Sequence, residues 1–447
     1  MYVVEQFAQF AVAQRAKPFA PQVLHHTKRA VIDWYAALLP GAVLPPATLM
    51  ARSFAEELGR GKAQLALGQP ATTRMAALIN GTAAHTAEVD DIFRDGIYHP
   101  GAPTIAAALA MAQAHGASGA QFLRAVMVGY EISTRIGATM GKAHYAYFHN
   151  TGTIGCFGAA AAAAEILQLD ASRFAHALAT VATFSAALQQ AFRMDSMSKP
   201  LHGGRAAEAG VSAALMARDG VTGSLDVLEG DAGYGRALRQ GNVAADWSTI
   251  AHTLGDDFHI TRMTFKNHAC CGHTFAAIDG AQTLQAQLGV RPDDIARIEI
   301  GSYRASKEVS GVENPQTAAE GRFSLKYVVA TALTHGNVRL AAFTPERLHD
   351  AATRALMAKI ETCIDPELDA SFPRQRAARV TLTITDGRRV THLQPTRKGD
   401  PDMPLTDAEL EEKFTELAVP VLGEARSARL LGQLWGAETA PHCVFIA

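Results

Sequence analysis

Cysteine is scarce and unpatterned in this chain of 447 residues: five are present, two of them adjacent (Cys270, Cys271), and no CxxC pair occurs. Such a set builds no disulfide framework and suits a reducing compartment, so the chain reads as cytoplasmic. Charge of one sign is also missing. Forty-one Lys and Arg face 43 Asp and Glu, a formal net charge of −2, which leaves no basic field for nucleic acid and no polybasic patch for a membrane. No uncharged apolar run reaches membrane-spanning length; the alanine-rich stretch 157–164 stops at Glu165. The N-terminal MYVVEQFAQFAVAQRAKPFAP is interrupted by Glu5, Gln6 and Gln9, as an amphipathic helix is and a signal peptide is not. There is no P-loop, no GxGxxG after a strand, and no GxSxG.

What the chain does have is apolar residues, 48%, with 19% charged. That balance folds, and the length exceeds what one core usually supports, so two domains are expected. Apolar residues recur at helical spacing over 22–39, and helices are expected over 47–57, 73–86, 104–114, 121–141, 155–169, 171–190 and 204–219. Several are apolar nearly all round and belong in an interior. No convincing alternation appears before about Gly255, so residues 1–262 read as an all-α domain.

The pattern then changes. Residues 294–303 alternate, and 379–394 alternate on both sides of Asp386-Gly387, which reads as a β-hairpin. Helices at 274–288, 324–334 and 345–360 fall between these strands, giving an α+β domain over 263–402 with helices on a small antiparallel sheet. Thr406 caps a last helix, and 403–447 is expected to complete the first domain.

Polar islands interrupt the apolar ground. The first, GTAAHTAEVDDIFRDGIYHPG, carries four acids and the histidines His85 and His99. Acids and imidazoles between buried helices cost desolvation energy unless they pair or do chemistry. The second, KAHYAYFHNTGT, holds His144 and His149; the third, SMSKPLHGGR, holds Lys199, His202 and Arg205; the fourth, FKNHACCGH, holds Lys266, His268 and His273. Converged in a cleft, they combine cations for an anion with groups that move protons. Each also has a plain reading: Asp90-Asp91 as a helix cap or a partner of Arg94, the histidines as satisfied structural groups, Arg205 as a surface residue and Tyr327 as helix packing. A zinc site at His268, Cys270, Cys271 and His273 is disfavoured, because adjacent cysteines strain tetrahedral geometry. A metal-free site is expected.

Five stretches, NGTAAHTAEVDD with HPGAP, GKAHYAYFHNTGTIG, SKPLHGGRAAEAG, FKNHACCGHTFAAID and RFSLKY, together resemble the MmgE/PrpD family in the family's order. That family includes 2-methylcitrate dehydratases, cis-aconitate decarboxylases and iminodisuccinate epimerases. The resemblance implies a mainly α protein: a large all-α domain from both chain ends, plus a smaller α+β lid domain inserted near the C-terminus. It also implies a homodimer, a small carboxylate substrate and no cofactor. By motif, the active-site positions fall on Asp91, His99, His149, Lys199, Lys266 and Tyr327, with His273 after the cysteine pair. Where many members read D-x-D-D-T, this chain has Glu88-Val89-Asp90-Asp91-Ile92, without the threonine hydroxyl.

The implied chemistry is a carbanion beside a carboxylate, which needs fixed cations and donors. Lys199 and Lys266 suit that role, Arg205 would hold a second carboxylate, and His149 or His99 would remove the proton. The other histidine, or Tyr327, would protonate the leaving hydroxyl, and Asp91 would orient an imidazole. The expected activity is a dehydratase-type lyase on a di- or tricarboxylate. An epimerase, a cis-aconitate-type decarboxylase and a non-catalytic carboxylate-binding scaffold are the alternatives.

Overall fold

The computed structural model describes residues 1–192, 196–239, 245–336, 338–372 and 374–445. The chain forms two compact units, one of Met1–Phe265 with Thr406–Ala447 and one of Lys266–Leu405.

Small side chains organise the first unit. Its helix Gly101–His115 is buried on every side as far as Ala112, and all twelve residues of Gly155–Ile166 are buried. Alanine loses no side-chain entropy in a helix and leaves room for a neighbouring backbone. Glycines carry that approach furthest. A Cβ on Gly158 would lie 2.4 Å from Thr104 Oγ1 and 3.0 Å from the Gly129 carbonyl. A Cβ on Gly204 would lie 2.1 Å from both the Leu78 carbonyl and Thr82 Oγ1, so the helices Thr73–Ala84 and Ser198–Arg218 cross backbone against backbone. The first of these helices ends at His85 and the second carries Lys199 and His202 in its first turns, so their contact brings those side chains to one place.

Ser198–Arg218 begins six residues before the expected helix, and so absorbs a stretch that reads as a polar loop. Pro200 hides the start, yet a proline in the first turn removes only an N–H that would lack a helical partner anyway. The helix Gly119–Tyr145 is interrupted at Gly141, whose φ of +59° and ψ of −156° lie outside helical geometry. Among the described residues no single helix is long and apolar enough to cross a membrane.

The expected all-α domain with an α+β lid is overturned. β1 (Leu58–Gln64) and β2 (Pro70–Ala71) form an antiparallel two-stranded sheet inside the first unit. The second unit holds a four-stranded sheet of β3 (Ile295–Ser302), β4 (Ile360–Ile364), β5 (Ala378–Ile384) and β6 (Arg389–Gln394), in the order β4-β3-β5-β6. The protein is mixed α/β with helix predominating, and nothing in the second unit's own structure marks it as a lid. β1 escapes a pattern search because it reads LGRGKAQ: Gly59 and Gly61 adopt φ of +74° and +88°, and the register slips between Leu58 and Ala63. The expected antiparallel sheet is likewise mixed, since β4 runs parallel to β3. Its five residues follow closely on the helix Ala351–Met357, and a strand so short merges with the preceding helical pattern. β5 and β6 do form the hairpin over Asp386-Gly387.

The Gly204 contact yields a stability test. Gly204→Val forces the two helices apart and should cost about 1–3 kcal/mol, read as a lower urea midpoint. Gly432→Ala, in a helix with nothing within 4 Å of the added Cβ, should hold or raise the midpoint. Equal losses in both variants would contradict the crossing as described.

Candidate active site

The first unit gathers four histidines and a carboxylate around the loop between Thr73–Ala84 and Gly101–His115. His85, at the C-terminal end of the first helix, is fully buried, and its Nδ1 lies 2.7 Å from Asp90 Oδ2. The same Asp90 oxygen lies 3.2 Å from Nδ1 of His99, two residues before the second helix. His149 stacks on His85 with ring centroids 5.3 Å apart and planes 13° from parallel. Its Nδ1 stands 2.9 Å from Nδ1 of His202, which requires one ring to donate and the other to accept. Lys199, one helical turn before His202, pairs with Glu88 of the loop. Glu88 adopts φ +59°, a left-handed conformation that side chains other than glycine seldom take.

Burial and mutual charge set the protonation states. Burial pushes the Asp90 carboxyl up, but the charges of His99 and His85, with the His85 hydrogen bond, outweigh it and hold Asp90 well below the ordinary carboxylate range. Asp90 is therefore an anion shared by two imidazoles. Burial, then the nearby His85, Lys199, His202 and His99, hold His149 well below 6.5; burial, His85 and Lys199 bring His202 down to about 4. Both rings are neutral at pH 7, each with one protonated and one basic nitrogen. The site thus holds an anchored anion against two imidazoles, with two further neutral imidazoles, His149 and His202, able to accept a proton.

His85, Asp90 and His99 offer ligating atoms within 4.8 Å of one another, as a metal triad does. The His85–Asp90 spacing fits a hydrogen bond better, while the 3.2 Å between His99 Nδ1 and Asp90 Oδ2 suits either. Two ligand atoms on one zinc stand about 3.3 Å apart, whereas His85 Nδ1 and Asp90 Oδ2 are 2.7 Å apart. Asp90 Oδ1 and His85 Nε2 are buried without a hydrogen-bond partner among the described residues, so the cluster keeps hydrogen-bonding capacity beyond its own bonds.

Of the residues singled out in the sequence, His99, His149 and Lys199 converge here. Asp91 does not face an imidazole. Its Oδ2 accepts the Tyr130 hydroxyl at 2.7 Å and its Oδ1 the Gly101 amide at 3.0 Å, and burial, with Asp33 and Asp90 nearby, raises its carboxyl well above the ordinary range. The acid that meets the imidazoles is its neighbour Asp90. Arg205 lies on an exposed face, paired with Glu208. His85 and His202 stand in the polar islands without a stated role, and only the helix crossing at Gly204 reveals them.

Lys266, His273 and Tyr327 belong to the second unit. Lys266 is buried. His273 Nδ1 lies 2.9 Å from the Tyr303 hydroxyl, and burial with Arg376 and Arg397 brings its imidazole down to about 3, so the bond joins the phenol to a neutral ring. Tyr327 is buried, and its hydroxyl donates to the Ala342 carbonyl.

Residues 5–245 match the MmgE/PrpD N-terminal domain and residues 268–436 the MmgE/PrpD C-terminal domain. The cis-aconitate decarboxylase-like protein oryM of Aspergillus oryzae is 26% identical over 462 residues, covering 98% of this chain and 95% of that protein. Cis-aconitate decarboxylase of Homo sapiens is 26% identical over 439 residues, covering 94% and 88%. That of Mus musculus is 27% identical over 362 residues, covering 78% and 72%. Two domain matches in sequence order, spanning most of the residues, place the chain in the MmgE/PrpD family.

Proposed function

We propose that this protein is a lyase acting on a small di- or tricarboxylate through acid–base chemistry of its own side chains. The observation that carries the reading is the Asp90 carboxylate held between His85 and His99, with a third imidazole, His149, stacked on the first and bonded to a fourth. The cis-aconitate decarboxylases among its relatives support a substrate of that class and make loss of CO₂ from an unsaturated tricarboxylate the first reaction to try. Dehydration uses the same parts: a base takes the proton beside a carboxylate, the hydroxyl leaves as water with a proton from an acid, and a C=C bond forms. In decarboxylation the C–C bond electrons stay on the organic fragment, which takes up one proton.

Each residue then has a task. Lys199 exchanges its bond to Glu88 for a substrate carboxylate and steadies the charge that develops beside it. His149, neutral and buried, accepts or returns the proton at carbon, and His202 fixes which Nδ1 carries hydrogen. Asp90 stabilises the imidazolium form of His99 or His85 as the proton moves.

Two sets of measurements test this. His149→Ala, Lys199→Ala and Asp90→Asn should each lower kcat/KM on the responsive tricarboxylate by about 10²–10⁴-fold with the fold retained. Asp91→Asn changes a side chain that bonds Tyr130 and the Gly101 amide and meets no imidazole, and should cost less than about tenfold. Wild-type turnover in the Asp90 variant would refute the role of the bridge. The pH dependence has a fixed sign. Because burial lowers His149, acidification charges the ring and removes the base, so kcat/KM should fall on the acid side with a midpoint well below 6.5. A midpoint at or above that value would remove His149 as the base.

A further inference from the structure

The loop carrying Glu88 and Asp90 is tied to an element more than 300 residues away in sequence. Lys413, on the helix Asp407–Leu422, is buried, and its ammonium donates to Asp33 Oδ1 at 2.6 Å and to the Val89 carbonyl at 2.7 Å. Asp33, on the helix Pro21–Ala42, is fully buried. Burial pushes its carboxyl up to about 6 even with Lys413 opposing, so this pair is held at an electrostatic cost that well-packed apolar side chains would not bear.

Val89 explains what the cost secures. It lies between two carboxylates that point to different cations, Glu88 to Lys199 and Asp90 to His85 and His99. Its carbonyl shares a peptide plane with the Asp90 amide, so fixing one fixes the other. The left-handed Glu88 immediately before it persists only where its surroundings over-determine the backbone. We propose that Lys413, seated on Asp33, is a positioning residue for the imidazole–carboxylate cluster: it clamps the Val89 carbonyl and so holds the Asp90 carboxylate between His85 and His99. The helix Asp407–Leu422 is on this account a working part of the site as well as a packing element.

This inference rests on the proposed function only for its kinetic readout. Lys413→Met alone strands a buried Asp33 charge, so the informative variant is Asp33→Leu/Lys413→Met, which removes both charges and leaves apolar volume. The full chain should keep its urea midpoint. Its kcat should fall about 10²-fold or more with KM changed by less than about threefold, the signature of a misplaced reacting group. The imidazole ¹H–¹⁵N resonances of His85 and His99 should shift, while those of His335 in the second unit stay put. Should the double variant not fold, Lys413→Arg carries the same test, since it keeps the charge against Asp33 but moves the donors away from Val89. A folded variant with wild-type kcat and unmoved His85 and His99 resonances overturns the proposal. If the wild type turns over none of the carboxylates tried, the functional reading fails, and the resonances alone still decide this one.

Discussion

A carboxylate with 1% of its surface exposed stays ionised only if its neighbours replace the water it has lost, and in this protein those neighbours are two histidines. Asp90 is the constraint from which the rest of the first unit's polar interior follows. Its charge sits against two imidazoles, and burial, then the neighbouring His85, Lys199, His202 and His99, holds His149 well below 6.5 and so neutral at pH 7. His149 can then hydrogen-bond another neutral ring and take up a proton. Remove the anion and four imidazoles packed this closely lose the reason to differ from one another.

The backbone is arranged to serve that carboxylate. Gly204 and Gly81 let two helices touch so that His202 reaches the face where His85 ends its helix. A left-handed residue at Glu88 and a buried ammonium on Val89 aim two acids of one short loop at different partners. Neighbouring Asp91 faces away to Tyr130 and the start of Gly101–His115, where it stiffens the loop's exit. Adjacent acids thus have carboxyls shifted in opposite directions and bond separate partners.

Much of this was legible in the sequence, and the rest was not for identifiable reasons. Helical periodicity marks Pro21–Ala42, Thr73–Ala84 and Gly155–Ile166, because long repeats of apolar spacing average out local exceptions. The 380–394 hairpin is equally plain, since alternation and an Asp-Gly turn agree. β1 is invisible because glycines build it, and β4 because five residues cannot be told from a helix end. His99, His149 and Lys199 show themselves as polar residues in apolar ground. Asp90 and Asp91 cannot be separated by any pattern, for they are adjacent acids, and which one meets an imidazole depends on one φ angle and on a lysine from the far end of the chain. Arg205 carries the right charge for a carboxylate, but its turn of helix points it to Glu208.

On the proposed reading, the imidazole cluster around Asp90 meets an acidic metabolite. The most direct measurement is titration of the wild-type protein with propane-1,2,3-tricarboxylate, a saturated analogue with no double bond or hydroxyl to lose, followed by imidazole ¹H–¹⁵N spectra across pH. Saturable binding that moves the His99, His149 and His202 resonances, with His149 titrating at higher pH once the anion is bound, is the predicted result. Binding that leaves all three unmoved, or no binding at all, would contradict the account.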